Sequence, residues 1–380
     1  MVAAAVLAGT AARPAHASRY LRVGLYDDAQ LLYGPIDKSY AYVKALHAQE
    51  IRITLYWGGP FGVAQSRPAR ATNPDDPAYD WSLYDRAVDY ATQSGARVLF
   101  SVYGTPPWAN GGKGLNVAPT RAVDLRNFVN AAAKRYSGVF PESDGRILPS
   151  VREWLAWNEP NNPVFLTPQY KKSGSRWVLQ GAADYARICN AVYTGVHATG
   201  LGSERVGCGA TAPRGNNNPN SARPSTSPIA FLRAAKKAGL KTFDAWAHHP
   251  YYSSPADTPT SKPLAPNGAA ATAVTLGNIG DLIKVVTQLY GNKRIWITEY
   301  GYQTNPPDPI IGVSYAKQAS YLTQAFAIAR KNPRIDMMLW FLIKDEPNLA
   351  GWQSGLVTYR GAKKPAYNAF IRVAEAATAP

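Results

Sequence analysis

The sequence WLAWNEPN, residues 154–161, is an apolar run that ends in an Asn-Glu pair and then a proline. Pro160 cannot continue a strand, because it has no backbone N–H to donate. A carboxylate fixed at the end of a rigid strand among tryptophans has a defined direction, and desolvation can raise its pKa. The stretch therefore predicts a strand that delivers Glu159 to a functional site.

A second stretch of the same kind, RIWITEYG at residues 294–301, lies 140 residues further along the chain. It is an apolar β-type run that delivers Glu299 at its end and is followed by Gly301. Two strand-end glutamates in one chain indicate paired carboxylate chemistry. Cleavage of glycosidic bonds is the commonest use of such a pair.

Around these two stretches, β-type runs alternate with helical runs from residue 19 onward. Strands are predicted at 20–25, 51–57, 97–102, 151–157, 205–209, 243–248, 294–299 and 337–342. Helices are predicted at 37–48, 82–94, 121–136, 181–199, 228–238, 275–290, 314–331 and 363–376, the second of them stopping at Gly95.

Eight βα units predict parallel pairing and a closed (β/α)8 TIM barrel in one domain, residues 18–380. A doubly wound sheet is the competing fold, but no glycine-rich phosphate fingerprint follows the first strand. Long Pro-, Asn- and Ser-rich loops follow most of the strands, on the C-terminal face where barrel enzymes build their sites.

The composition fits a soluble globular protein: 17% of the 380 residues are charged, 46% are hydrophobic, and no run of 18 apolar residues exists. The 10 Trp and 23 Tyr are costly to bury without partners for their polar atoms. They can be core residues, and a cleft in which sugars stack on aromatic rings would also account for part of this surplus.

The formal net charge of +16 has three readings: a solvated basic surface, an anionic polysaccharide substrate, or nucleic acid. The basic residues are scattered, with only pairs such as Lys171-Lys172, and no nucleic-acid-binding motif is present. We therefore favour the solvated surface, keep the anionic polysaccharide open and expect no nucleic-acid partner. The composition says nothing about oligomeric state.

Residues 1–17 form a short small-apolar segment that ends in Ala15-His16-Ala17, an A-x-A cleavage pattern, but they lack a charged start. We interpret them as the remnant of a signal peptide, with a disordered Ala-rich leader as the alternative, and expect a secreted protein. Cys189 and Cys208 are the two cysteines. A disulfide and two buried free thiols both remain open.

Asn158-Glu159-Pro160 after the fourth strand, paired with Glu299 after the seventh, resembles the clan A retaining glycoside hydrolases, most closely families 39 and 5. The resemblance extends over residues 19–376. It implies a double displacement in which Glu159 is the general acid/base and Glu299 the nucleophile, with no cofactor. It also implies a carbohydrate substrate that is β-linked or, as in some clan members, an α-L-arabinofuranoside.

Other positions match the family pattern. The resemblance implies that Arg52 contacts the nucleophile, that Asn158 bonds the sugar 2-hydroxyl, and that Tyr251 donates to the nucleophile. A histidine beside Tyr251 would line the sugar pocket. We assign His249, although His248 remains an alternative. We do not expect His248 and His249 to bind a metal, because adjacent strand residues face opposite ways and no carboxylate lies at ligand spacing.

Aromatic residues complete the expected site. The resemblance implies that Trp340 stacks on the sugar and is followed by a cis peptide bond. Trp57, Trp108 and Trp352 are candidate sugar platforms on the loops, although tryptophans in loops also anchor packing. Tyr302, Asp345 and Glu346 are candidate rim residues.

Two other functions compete with hydrolysis. A transglycosylase would use the same covalent intermediate and pass the sugar to an acceptor other than water. A catalytically weak carbohydrate- or cell-wall-binding barrel would be expected to lack one glutamate, and both are present.

Overall fold

The computed structural model describes residues 21–142, 144–263 and 271–378. The predicted leader, residues 1–17, lies outside the described residues. The strands of the barrel are β1 Arg22–Tyr26, β2 Glu50–Tyr56, β3 Arg97–Tyr103, β4 Glu153–Ala156, β7 Arg205–Thr211, β8 Ala245–His248, β9 Arg294–Tyr300 and β10 Ile335–Phe341. They close in the order β1-β10-β9-β8-β7-β4-β3-β2, and every pair is parallel. The predicted (β/α)8 barrel is confirmed.

Helices on the outside of the barrel connect these strands. They are α1 Asp28–Leu31, α2 Ile36–Ala45, α3 Ser82–Gln93, α4 Pro107–Asn110, α5 Ala122–Arg135, α6 Gln180–His197, α7 Pro228–Lys237, α8 Ile279–Tyr290, α9 Tyr315–Lys331 and α10 Pro365–Thr378. α1 and α4 were not predicted, and neither was the antiparallel hairpin of β5 Lys171–Ser173 and β6 Arg176–Val178. No helix among the described residues is long and apolar enough to cross a bilayer.

Two apolar layers follow from the alternation of strand side chains. The barrel interior holds Leu99, Leu155, Ala210, Ala245, Ala247, Trp296, Met337 and Leu339. The Trp296 ring fills this space so tightly that a Cβ on Gly207 would lie 2.5 Å from it. The larger layer lies between the strands and the helices.

On β2 the same alternation sends Ile51, Ile53 and Leu55 toward the helices. Arg52 lies on the opposite face of the strand and reaches into the barrel, where Glu299 and Asn158 accept its hydrogen bonds.

A disulfide joins Cys189 on α6 to Cys208 on β7, which decides the pairing that the sequence left open. It ties a helix to the neighbouring strand, and neither cysteine lines the cavity described below.

Candidate active site

Glu159 lies just beyond β4, where the chain leaves the ordinary strand conformation. Trp157 has φ of 71° and Glu159 has φ of 34°, in the left-handed region that non-glycine residues rarely adopt. The N–H of Glu159 donates to the carbonyl of Ala210 at 2.9 Å, and Pro160 follows. Backbone strain of this kind concentrates at functional sites. Here it turns both Asn158 and Glu159 into one cavity.

Glu299 reaches the same cavity through an irregularity at the end of β9. Ile297 pairs with Met338 and Tyr300 pairs with Trp340, so two residues of β9 oppose the single Leu339 of β10. A bulge of this type redirects side chains at a barrel rim. Glu299 consequently lines the cavity, whereas Tyr300 packs in the layer next to the helices.

The two carboxyl groups and the ring of His249 meet at one point. One oxygen of Glu159, one oxygen of Glu299 and one ring nitrogen of His249 all lie within 4.8 Å of one another. His249 Nδ1 is 3.2 Å from Glu159 Oε1 and 3.6 Å from Glu299 Oε1. Folding thus brings together the two glutamates that the sequence singled out.

Donors surround both oxygens of Glu299. Arg52 Nη1 donates to Oε1 at 2.7 Å, and the Tyr251 hydroxyl donates to Oε2 at 3.1 Å. Arg52 is fully buried and also donates from Nη2 to Asn158 Oδ1 at 2.7 Å. Because arginine is only a donor, its partner on Asn158 is the amide oxygen. Within the described part of the chain, the Nδ2 amino group of Asn158, which lines the cavity, is left as a free donor. Both oxygens of Glu299 are therefore held by donors, and the bond from Arg52 is charge-assisted.

Glu159 occupies a different environment, and its side chain is 13% exposed. Burial raises its pKa to about 7, while a hydrogen bond from Asn162 and the positive charges of Arg52 and Arg214 act in the opposite direction. The Asn162 bond runs from Nδ2 to Glu159 Oε2 at 3.1 Å. Glu159 can therefore hold a proton near neutral pH and give it up during a reaction.

His249 is neutral, because burial lowers its pKa to about 4. Its Nε2 contacts Thr298 Oγ1 at 2.9 Å and Arg52 Nη1 at 3.4 Å. The arginine cannot accept a hydrogen bond, so we assign the ring proton to Nδ1, which donates to Glu159. His248 instead bonds Thr211 Oγ1 and the carbonyl of Val274. His249 is therefore the histidine that contacts the two glutamates, although it is fully buried and does not itself line the cavity.

The cavity has a volume of about 430 Å³, which is typical of small-ligand pockets. Besides the two glutamates and Asn158, it is lined by Tyr26, Asn162, Phe165, Ala212, Pro213, Arg214, Tyr251, Tyr252, Ile311, Phe341 and Trp352. Trp352 is 42% exposed and stacks against Tyr251, with ring centroids 5.8 Å apart. Trp352 thus lines the cavity, and its stacking on a sugar stays a prediction.

A metal ion is disfavoured at this cluster by its own hydrogen bonds. The sequence argument that no carboxylate lies at ligand spacing from the histidines is wrong, because folding places Glu159 and Glu299 beside His249. However, both oxygens of Glu299 already accept from Arg52 and Tyr251. A guanidinium at 2.7 Å also opposes the approach of a second cation.

The interpretation of Trp340 as a sugar-stacking residue is wrong. On β10, Met337 and Leu339 face the barrel interior, so Trp340 faces the helices, and its Nε1 donates to the carbonyl of Ser354. Its neighbour Phe341 lines the cavity instead. The expected cis bond after Trp340 is also absent: the cis bonds among the described residues all precede prolines.

Three further aromatic candidates lie outside the cavity lining. Trp57 is fully buried and packs at 90° against Trp108, whose Nε1 donates to the carbonyl of Ala64. These two tryptophans therefore anchor loops. Tyr302 is buried and stacks on Tyr252, and only Tyr252 reaches the cavity.

Several lining residues escaped the sequence analysis. Tyr26 and Phe341 end β1 and β10, so their position at the C-terminal ends of strands was an available signal. Asn162, Phe165 and Arg214 lie in loops without regular periodicity. Nothing in the sequence pattern marks them.

The fold is shared with solved glycosidase structures. A glucosidase from Croceicoccus marinus superposes with a TM-score of 0.67 at 12% identity, over 96% of this chain and 69% of that chain. A family 39 glycoside hydrolase from the gut symbiont Bacteroides cellulosilyticus WH2 superposes with a TM-score of 0.62 at 19% identity, over 94% of this chain and 64% of that chain. A family 39 β-xylosidase from Caulobacter crescentus superposes with a TM-score of 0.58 at 19% identity, over 94% of this chain and 72% of that chain.

These superpositions show a common fold. The predicted resemblance to clan A glycoside hydrolases is therefore confirmed for the fold. The chain spans about two thirds of the length of these three proteins. No curated protein matches the sequence. A family model described as "Family of unknown function (DUF5722)" matches residues 115–379, more than half of the chain.

Proposed function

We propose that this chain, which belongs to the family of unknown function DUF5722, is a glycoside hydrolase that acts with retention of anomeric configuration. The observation that carries the proposal is that one carboxyl oxygen of Glu159 lies within 4.8 Å of one carboxyl oxygen of Glu299, too close to leave the separation of an inverting pair. Retaining enzymes hold their carboxyl groups about 5–5.5 Å apart, whereas inverting enzymes leave about 6.5–9.5 Å for a water.

In the first step, Glu299 attacks the anomeric carbon and Glu159 gives its proton to the glycosidic oxygen. The bond from the anomeric carbon to that oxygen breaks, the leaving group departs as an alcohol, and an ester to Glu299 forms. Glu159 suits this role because burial keeps its pKa near 7, so it still carries the proton at neutral pH.

In the second step, the ionised Glu159 takes a proton from water, whose oxygen attacks the anomeric carbon and releases Glu299 as a carboxylate. Arg52 and Tyr251 stabilise that carboxylate through the bonds to its two oxygens. The free amide of Asn158 is placed to donate to a sugar hydroxyl. His249 donates to Glu159 and orients it.

The solved structures with this fold support a carbohydrate substrate, since they include a glucosidase and a β-xylosidase. Export is part of the proposal. The disulfide between Cys189 and Cys208 supports it, because such bonds persist in oxidising compartments. Detection of the protein in the medium of producing cells would test export.

The experiment is a screen of wild type and Glu299→Gln on aryl glycosides and polysaccharides, with the anomeric configuration of the product followed by NMR. We expect cleavage with retention that the substitution abolishes. Glu346→Gln is the matched control, because Glu346 follows β10 outside the cavity lining and should keep full activity. Products with inverted configuration would refute the proposal.

A second variant separates the two roles. Glu159→Ala should slow substrates with poor leaving groups by about 10²–10⁴-fold and spare activated aryl glycosides, because only the former need protonation. Equal losses on both kinds would contradict the assignment. Transfer to an added sugar acceptor in preference to water would identify a transglycosylase.

A further inference from the structure

The two walls of the cavity differ in chemistry. Near Glu299 the lining is aromatic, with Tyr251 bonded to the carboxylate and Trp352 stacked on Tyr251. Near Glu159 it is polar and basic, with Asn162 bonded to the carboxylate and Arg214 close enough to act on its charge. A substrate that spans the cavity therefore meets two environments.

Arg214 is the one Lys or Arg among the described residues that lines this cavity, and it forms no salt bridge. It lies in the loop after β7, next to Pro213, and is exposed. Within the described ranges its guanidinium has neither a hydrogen bond nor an ion pair, and no other Lys or Arg lines the cavity. Arg52 differs in both respects, because it is fully buried and paired with Glu299 at 2.7 Å.

An arginine that lines a ligand cavity without an ion-pair partner is suited to a planar or tetrahedral oxyanion, to which its guanidinium can donate two parallel hydrogen bonds. In the proposed reaction Glu159 protonates the oxygen of the leaving group, so the wall beside Glu159 receives the leaving group. Arg214 shares that wall with Asn162 and Phe165.

We infer that Arg214 binds an anionic group, a carboxylate or a sulfate, on the leaving-group side of the substrate. The inference rests on the proposed hydrolase function and gives it a substrate class: an acidic glycan in which an anionic residue follows the cleaved bond. The net charge of +16 agrees with such a substrate, because a positive field attracts anionic chains.

An anion bound to Arg214 would also change the pKa of Glu159. In the free protein the positive charge of Arg214 lowers the pKa of Glu159, against the larger effect of burial. A bound anion would neutralise that charge and favour the protonated acid that the first step needs. The anionic substrate would therefore assist its own cleavage, which a neutral substrate cannot do.

The test compares oligosaccharides that differ only in the leaving residue: a uronate, its carboxyl-reduced form, and a sulfated form. For wild type we expect kcat/KM to favour the anionic forms, with a preference that weakens as salt is added. Arg214→Gln should lower the ratio of anionic to neutral kcat/KM about 10-fold, the range of a hydrogen bond to a charged group. Arg214→Lys should keep part of it.

Arg223→Gln is the matched control, because Arg223 is exposed on the same loop but lies outside this cavity. It should keep the wild-type ratio. The uronate and sulfate arms decide which anion is bound. A wild type that cleaves neutral and anionic forms equally would overturn the inference and leave the hydrolase proposal intact.

Two further outcomes are informative. The first uses aryl glycosides, in which a uronic acid and a neutral sugar are attached to the same aryl group. If kcat/KM is higher for the uronic acid, the anion belongs to the cleaved sugar and our placement of it on the leaving-group side is wrong. If no oligosaccharide is cleaved but uronate or sulfated forms bind in calorimetry and Arg214→Gln weakens that binding, the anion site stands and the hydrolase proposal fails.

Discussion

Glu159→Gln should stabilise the folded protein above neutral pH, although it removes the acid that we propose for catalysis. Burial raises the pKa of Glu159 from 4.5 to about 7 in the folded protein. Below pH 4.5 the carboxyl group is neutral in both the folded and the unfolded states. As the pH rises from 4.5 to about 7, the unfolded state loses its proton first, so the folded state loses stability. Above pH 7 the loss is complete.

The size of this effect follows from the two pKa values, whose difference corresponds to about 3 kcal/mol as an upper figure. Glutamine has the same shape and cannot ionise, so it avoids the loss. The two carboxylate oxygens of Glu159 accept hydrogen bonds from Asn162 and His249. Glutamine has only one side-chain oxygen, so the variant loses one of these two hydrogen bonds. That cost is the same at every pH and cancels when two pH values are compared.

The measurement is urea unfolding of wild type and Glu159→Gln at a series of pH values from about 4.5 to 8.5. The free energy of unfolding of the variant, relative to wild type, should rise by up to about 3 kcal/mol across this range. Asp27 and Glu50 also have raised pKa values, but both proteins contain them and their titration cancels in the difference.

Asp144→Asn is a control that should be flat. Hydrogen bonds from Arg146 lower the pKa of the exposed Asp144 below its ordinary value of 3.8, so Asp144 is ionised in both the folded and the unfolded states across the pH range of the experiment. The difference between wild type and this variant should therefore stay constant from about pH 4.5 to 8.5 and change only at lower pH. A pH-independent difference between wild type and Glu159→Gln would refute the reasoning. Glu159 would then not be held protonated, and its role as the acid would lose its physical basis.

Asn162→Ala should move the alkaline limb of kcat/KM upward by about one pH unit, because it removes the hydrogen bond that favours ionised Glu159. Asn116→Ala, which loses only bonds to loop carbonyls, should not move it, and an unmoved limb in both would contradict the assignment. Trp352→Ala should raise KM up to about 10-fold. Trp108→Ala should instead lower the melting temperature and leave KM unchanged, and the reverse pattern would show that the two roles are exchanged.

Periodicity was sufficient to predict the barrel and the place of its site. Each of the eight predicted strands overlaps an observed one, since alternating and helical apolar patterns have different periods. Parallel strands in a barrel end on one face, so two glutamates at strand ends were expected to meet. The chain brings Glu159 and Glu299 together as that argument requires.

The errors have two physical causes. Trp340 was placed on the wrong side of β10 because the resemblance did not fix which face each residue of the strand occupies. Consecutive residues face opposite ways, and the structure shows that Phe341 lines the cavity whereas Trp340 packs toward the helices. Trp57 and Trp108 fill the space beneath a loop, which a sequence cannot distinguish from a ligand platform. Arg214 escaped because a single arginine in an irregular loop carries no pattern.

The two glutamates that we propose as the reacting groups lie where strand alternation fails. A regular strand can point only one of two consecutive residues into the barrel, yet the site uses both Asn158 and Glu159 from one strand end. The left-handed backbone at Trp157 and Glu159 and the bulge before Tyr300 provide this departure. Periodic patterns can therefore locate the strand ends of such a site, whereas the roles of its two glutamates depend on neighbours that folding supplies: two donors for Glu299 and burial for Glu159.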